Sequence, residues 1–93
     1  WRAPVAGTIS NLTVWGLANA PSTLHVLIYK ATTASTSPTY SATTVDATVT
    51  NATNTGSDTT HSVSVAAGDL LVAFCGTAWN ANGAVMNVMF NPT

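Results

Sequence analysis

Charge is what this chain has least of: two Lys or Arg and three acidic residues in 93 positions, 5% charged, against about 25% for an average soluble domain. With only Arg2 and Lys30 as fixed cations and a net charge of −1, the clusters that neutralise nucleic-acid phosphates cannot be built. Glutamate is absent altogether, and Asp46, Asp58 and Asp69 stand far apart in the chain. Cys75 is the sole cysteine, which excludes an intrachain disulfide, a thiolate metal site and a redox pair. No run approaches the 18 to 20 apolar residues of a membrane-crossing helix, so membrane insertion of that kind is not expected.

What is present is 46% hydrophobic residues, diluted by Thr, Ser and Asn. Disorder needs low hydrophobicity and high net charge, and this chain has the reverse, so it should fold. Its length fits one domain over 1–93, burying roughly 60 to 65% of its unfolded surface. It opens on Trp1 without a methionine and without an apolar leader, which reads as a processed product or a piece of something longer.

β-branched residues dominate, Pro and Gly punctuate at short intervals, and no window keeps a helical period for three turns. The expected class is all-β: a two-layer antiparallel β-sandwich, jelly-roll-like, with about six to eight short strands. In the first run, 8–15, apolar residues at 9, 12, 14 and 15 break the alternation, which points to a bulge or to one face becoming buried midway. Leu24, Val26 and Ile28 alternate with His25, Leu27 and Tyr29. Residues 31–43, small and polar around Pro38, read as a Greek-key crossover or exposed loop with at most a short edge strand. Val45, Ala47 and Val49 alternate with Asp46, Thr48 and Thr50, as on an outer strand with one wet face. Residues 51–60 read as a loop of turn-formers, and 62–65 resumes strict alternation. Ala66-Ala67-Gly68-Asp69 then reverses the chain, with Gly68 free to take positive φ.

Three runs, 24–30, 70–75 and 84–90, are apolar on both faces. One sheet is therefore expected to pack its inner face on the core and its outer face on something else. Each medium apolar side chain so covered contributes about 1.5 to 3 kcal/mol before association costs. A low-charge surface offers little repulsion between copies, and closed symmetry is the simplest source of cover. Leu71, Val85 and Met89 are the candidate interface residues, with Met86 and Met89 on opposite faces of the last strand.

Chemistry is sparse. Asp46 belongs to a solvated strand face, and Asp58 and Asp69 to turns. His25 and His61 read as partly buried structural histidines, and no spacing fits a metal or cofactor. No enzyme activity, cofactor or metal is expected. One segment has ligand-like character: Trp79 stands beside Asn80 and Asn82, the equipment for stacking on a sugar ring and bonding its hydroxyls. The plainer use of Trp79 is to cover the end of the sandwich. Trp1 and Trp15 read as core or intersubunit anchors.

Pro4-Val5-Ala6-Gly7-Thr8-Ile9-Ser10-Asn11-Leu12, together with Ser57 through Leu71 (SDTTHSVSVAAGDLL), resembles the repeating phrases of small jelly-roll domains in bacteriophage virion proteins. These are similar in layout to the trimeric complement- and tumour-necrosis-factor-like jelly rolls. The likeness runs through most of the chain in order, while residues 31–43 depart from it. It implies a homotrimer packed by one sheet around its axis, located in the virion as a head fibre, capsid decoration protein, spike or tail-fibre tip. The partners it implies are sister chains and other virion proteins such as the capsid. The expected function is thus structural and non-enzymatic. The alternative is a receptor- or carbohydrate-binding module that holds cell-surface glycan, and a third possibility is an accessory domain of a secreted carbohydrate-degrading enzyme, which should be monomeric.

Overall fold

A computed structural model describes residues 1–32, 36–76, 79 and 83–93. Among the described residues six strands form: β1 (Gly7–Gly16), β2 (Leu24–Ala31), β3 (Ser41–Val49), β4 (Thr55–Val65), β5 (Leu70–Cys75) and β6 (Ala84–Pro92). They make two antiparallel three-stranded sheets, ordered β4-β1-β6 and β3-β2-β5. The all-β sandwich expected from the alternation is the fold, at the low end of the expected strand number. Only the β2–β3 connection joins neighbours within one sheet. The β2–β3 connection is therefore not a crossover, because Tyr29 pairs with Ala42 and Lys30 with Ser41, and of the 31–43 segment Ala31 ends β2 and residues 41–43 begin β3.

Period-two patterning explains which side chains meet. Ile9, Leu12 and Val14 from β1 pack with Leu24, Val26, Ile28, Val45, Ala47, Val49 and Val65 in one core cluster. Ile9, Leu12, Leu24, Val14, Val45 and Val49 are its largest fully buried members, and burial of each favours folding by about 1.5 to 3 kcal/mol. The break in β1's alternation is a bulge at Asn11, whose φ of 53° lets the strand gain a residue on β6 between Ser10 and Thr13. After it, Leu12 points inward just as Ile9 does.

One expectation needs correction. Residues 55–60 are strand, not loop: Thr55 through Asp58 pair with Trp15 through Leu12. Their polar composition hides this, because β4 is an edge strand whose exposed side chains need not be apolar. The turn at 66–69, which reverses the chain as expected, joins strands of different sheets and so is an arch across the sandwich. Its chemistry is as expected: Gly68 has φ 90°, the Asp69 carboxylate accepts the Ala66 amide at 2.8 Å, and the Asp69 amide returns to the Ala66 carbonyl.

The β3/β4 side of the sandwich is shut. Asp58 reaches across it, its Oδ2 accepting the Asp46 amide at 2.9 Å. At Gly56 the two backbones come so close that a Cβ would overlap the Thr48 carbonyl. Overpacking against backbone cannot be relieved by a rotamer change, so Gly56→Ala is expected to destabilise the fold by about 1 to 3 kcal/mol in urea unfolding. An unchanged midpoint would mean that this side is not tightly closed. At the end of the same seam the Lys30 ammonium donates to the Ser64 carbonyl at 3.0 Å, tying β2 to β4.

Candidate functional site

The opposite side is open. A groove of about 670 Å³ runs between β5 and β6, lined by Ile9, Ile28, Leu71, Ala73, Met86, Val88 and Phe90 among others. Register assigns the faces. Ala73 and Cys75 lie opposite Ile28 and Val26, and Met86 and Phe90 opposite Val14 and Ile9, so these side chains face inward. In a closed sandwich they would be core. Met86 and Val88, however, each keep 43% of their surface exposed.

The outer faces beside the groove are apolar as well. Val85 lies opposite Trp15, and Met89 opposite Ser10, leaving Trp15, Val85 and Met89 exposed on one outer face. On the other, Val72 and Phe74 are exposed, with Phe74 tilted against Tyr29 at 5.4 Å between centroids. Among the described residues, six of the eleven large exposed hydrophobics belong to β5 and β6, and neither strand contains a charged residue. The two-faced runs thus do not share the one sheet that the pattern led us to expect: β2 and β5 belong to one sheet and β6 to the other, and β5 and β6 form the two lips of one opening.

Among the candidate interface residues, Val85 and Met89 point outward from β6. Leu71 points inward, is 8% exposed and forms part of the groove floor. The outward apolar residues of β5 are Val72 and Phe74, which the pattern offered but did not single out. Met86 faces the groove and Met89 faces out, as the alternation requires. Neither Trp1 nor Trp15 is a core anchor, at 56% and 45% exposed. Trp1 meets Phe90 edge-on at 5.1 Å, at one end of the groove.

Trp79 is committed elsewhere. Its ring lies over Gly16, where a Cβ would overlap it, its indole N–H donates to the Ala18 carbonyl at 3.0 Å, and it packs against the core cluster. That arrangement is the covering role. Asn80 and Asn82 lie outside the described residues.

Both histidines are exposed, not partly buried as expected, with side-chain exposures of 53% and 55%, and each bonds an aspartate. His25 Nδ1 lies 3.0 Å from Asp46 on an outer face, and His61 Nδ1 lies 2.9 Å from Asp58. Asp58 is not a turn residue but an inward carboxylate on β4. Burial pushes its carboxyl pKa up, yet the amides of Asp46, Thr60 and His61 and the His61 ring outweigh that effect and hold it well below the usual carboxylate range. Its oxygens are saturated by structural donors. Among the described residues no three His, Cys, Asp or Glu side chains converge as metal ligands.

The arrangement therefore offers contact chemistry: an uncharged apolar opening flanked by apolar outer faces. No family model, curated protein or solved structure matches the chain.

Proposed function

We propose that this chain is a non-enzymatic structural domain that works by assembling with copies of itself, as a homotrimer of the capsid-decoration or head-fibre type. The observation that carries self-assembly is the apolar, charge-free β5/β6 side with the outward Trp15, Val85 and Met89 beside it. A standard interface hides about 800 Å² per partner, roughly 15% of this chain's 5313 Å². The exposed residues of β1 and β6 supply the apolar centre such an interface needs. The threefold symmetry and the virion setting are supported by the resemblance of the Pro4–Leu12 and Ser57–Leu71 phrases to phage jelly-roll domains.

Light scattering behind size exclusion at several concentrations is the test. The expected mass is three times 9.5 kDa, and the double variant Val85→Lys, Met89→Lys is expected to elute as a folded monomer, because an interface centre does not accept unpaired ammonium groups. A wild-type monomer at all concentrations would overturn the assembly reading.

A further inference from the structure

Apolar exposure in this sandwich is graded by strand. In the β4-β1-β6 sheet, the outward side chains of β6 beside the opening include Val85 and Met89, while β1 behind it presents Trp15 among Thr13, Ser10 and Thr8. At the far strand β4 the corresponding outward positions are Thr55, Ser57, Ser62 and Ser64. The β3-β2-β5 sheet repeats the gradient. Val72 and Phe74 are outward on β5, opposite Tyr29 and Leu27, and beyond them β3 turns out Asp46 and Thr48.

Charge avoids the same edge. Asp46 and Asp58 belong to β3 and β4, the Lys30 ammonium is bonded to the Ser64 carbonyl on β4, and Arg2 and Asp69 stand beside the 66–69 arch. A partner docked flat on either sheet would cover the polar far strands. A partner that met the molecule along β5 and β6 would cover apolar side chains on two outer faces and bury no charge, which avoids the desolvation cost of an unpaired ion.

Symmetry identifies the partner. Junctions in a cyclic trimer are heterologous, so the face one copy offers must meet a different face on the next. Trp15, Val85 and Met89 therefore need a counter-face. Of the other large hydrophobics exposed among the described residues, Met86 and Val88 face the groove, and Trp1, Val5, Leu17 and Tyr40 lie outside the six strands. That leaves Val72 and Phe74 as the second outward patch. Patches covering opposite faces of a slab would stack copies into an open filament, whereas two narrow patches that border one edge let each copy turn about that edge until the ring closes.

We infer, resting on the self-assembly proposed above, that the β5/β6 edge of each copy faces the threefold axis, with Trp15, Val85 and Met89 of one copy seated on Val72 and Phe74 of the next. The contact is made by outward side chains, and the edge amides of β5 play no part in it. Each side brings an aromatic anchor, Trp15 from one copy and Phe74 with Tyr29 at 5.4 Å from the other, the side-chain type that dominates interface energetics.

The test uses two broken faces. Val72→Lys with Phe74→Lys is expected to reduce the mass in light scattering from three times 9.5 kDa to 9.5 kDa, as Val85→Lys with Met89→Lys does, with the far-UV spectrum of a folded chain. If lysine there prevents folding, threonine at both positions keeps the strand preference and still removes the apolar patch. Mixing the two variants restores one intact junction and no second, so the expected product is a dimer of twice 9.5 kDa that grows no further. To read a weak single junction, the isotope-labelled Val72 and Phe74 variant is titrated with the unlabelled Val85 and Met89 variant to about 1 mM. Saturable amide shifts are expected on 13–16 and 84–90, and on 70–75 when the labels are exchanged; each variant titrated with itself gives none. A wild-type trimer whose mass survives the Val72 and Phe74 substitutions would overturn the counter-face and leave self-assembly standing. So would a mixture without saturable shifts, or a wild-type mass that stops at two copies or climbs past three. A wild-type monomer would overturn self-assembly itself, and this inference with it.

Discussion

Replacing Asp58 by alanine is expected to cost on the order of 3 kcal/mol of stability, most of what a small domain can lose before it unfolds at ambient temperature. The carboxylate is 5% exposed and accepts the amides of Asp46, Thr60 and His61 at 2.9, 3.0 and 3.1 Å. Alanine leaves those donors without an acceptor, at about 1 to 3 kcal/mol for each one that water cannot reach. In a domain of this length that corresponds to a fall of roughly 10 to 20 °C in the melting temperature. His61→Ala, by contrast, should lose less than about 1 kcal/mol, because the exposed ring adds one side-chain contact to a carboxylate that keeps its three backbone donors. Equal losses in the two variants would show that the His61 pair, and not the amide bonds, holds the seam.

The same carboxylate sets an acid limb. Its pKa in the folded chain is depressed below the unfolded value of about 3.9. The folded state therefore binds fewer protons there than the unfolded state as pH falls through that range. The contribution of Asp58 is complete above about pH 5 and declines progressively below about pH 4. Urea midpoints measured from pH 6 down to pH 2 should fall more steeply for the wild type than for Asp58→Asn. Parallel curves would assign the acid limb to other groups.

Trp79→Ala carries the second large effect, a loss of about 2 to 3 kcal/mol. The side chain is half-buried, its ring fills the space above Gly16, and truncating an aromatic of this kind removes both its burial and its packing contacts. Trp79→Phe keeps much of the ring but leaves the Ala18 carbonyl without the indole donor, for about 1 kcal/mol. A glycan-stacking role would need the opposite signature, namely unchanged melting for Trp79→Ala together with loss of signal on a glycan array. With the N–H donated to Ala18 and the ring lying on Gly16, the expected result is a melting shift.

Much of the fold was legible because strand alternation is a local property. Val45, Ala47 and Val49 point inward and Thr48 outward, as their pattern states, and the broken rhythm at 9, 12 and 14 is the Asn11 bulge. Residues 55–60 were not legible, since an edge strand with a wet face tolerates Thr, Ser and Gly that elsewhere make turns. Asp58-Thr59-Thr60-His61 did carry a signal, an aspartate placed to accept the amides two and three residues on, but that signal equally fits a loop. Of the candidate site, the double-faced apolarity of 70–75 and 84–90 was visible, and Val85 and Met89 came with it. The inward turn of Leu71 and the groove role of Met86 and Val88 were not.

Composition and alternation alone determined that this is an all-β chain with more apolar face than one thin sandwich hides, because each of those follows from residue types two apart. Which strands stand beside one another is a long-range choice, decided by how the whole core closes. That choice put β5 and β6 in different sheets, let Asp58 and Gly56 shut one seam, and left the other open beside Trp1–Ala3. Only the folded chain could turn two runs of doubly apolar sequence into the two walls of one groove.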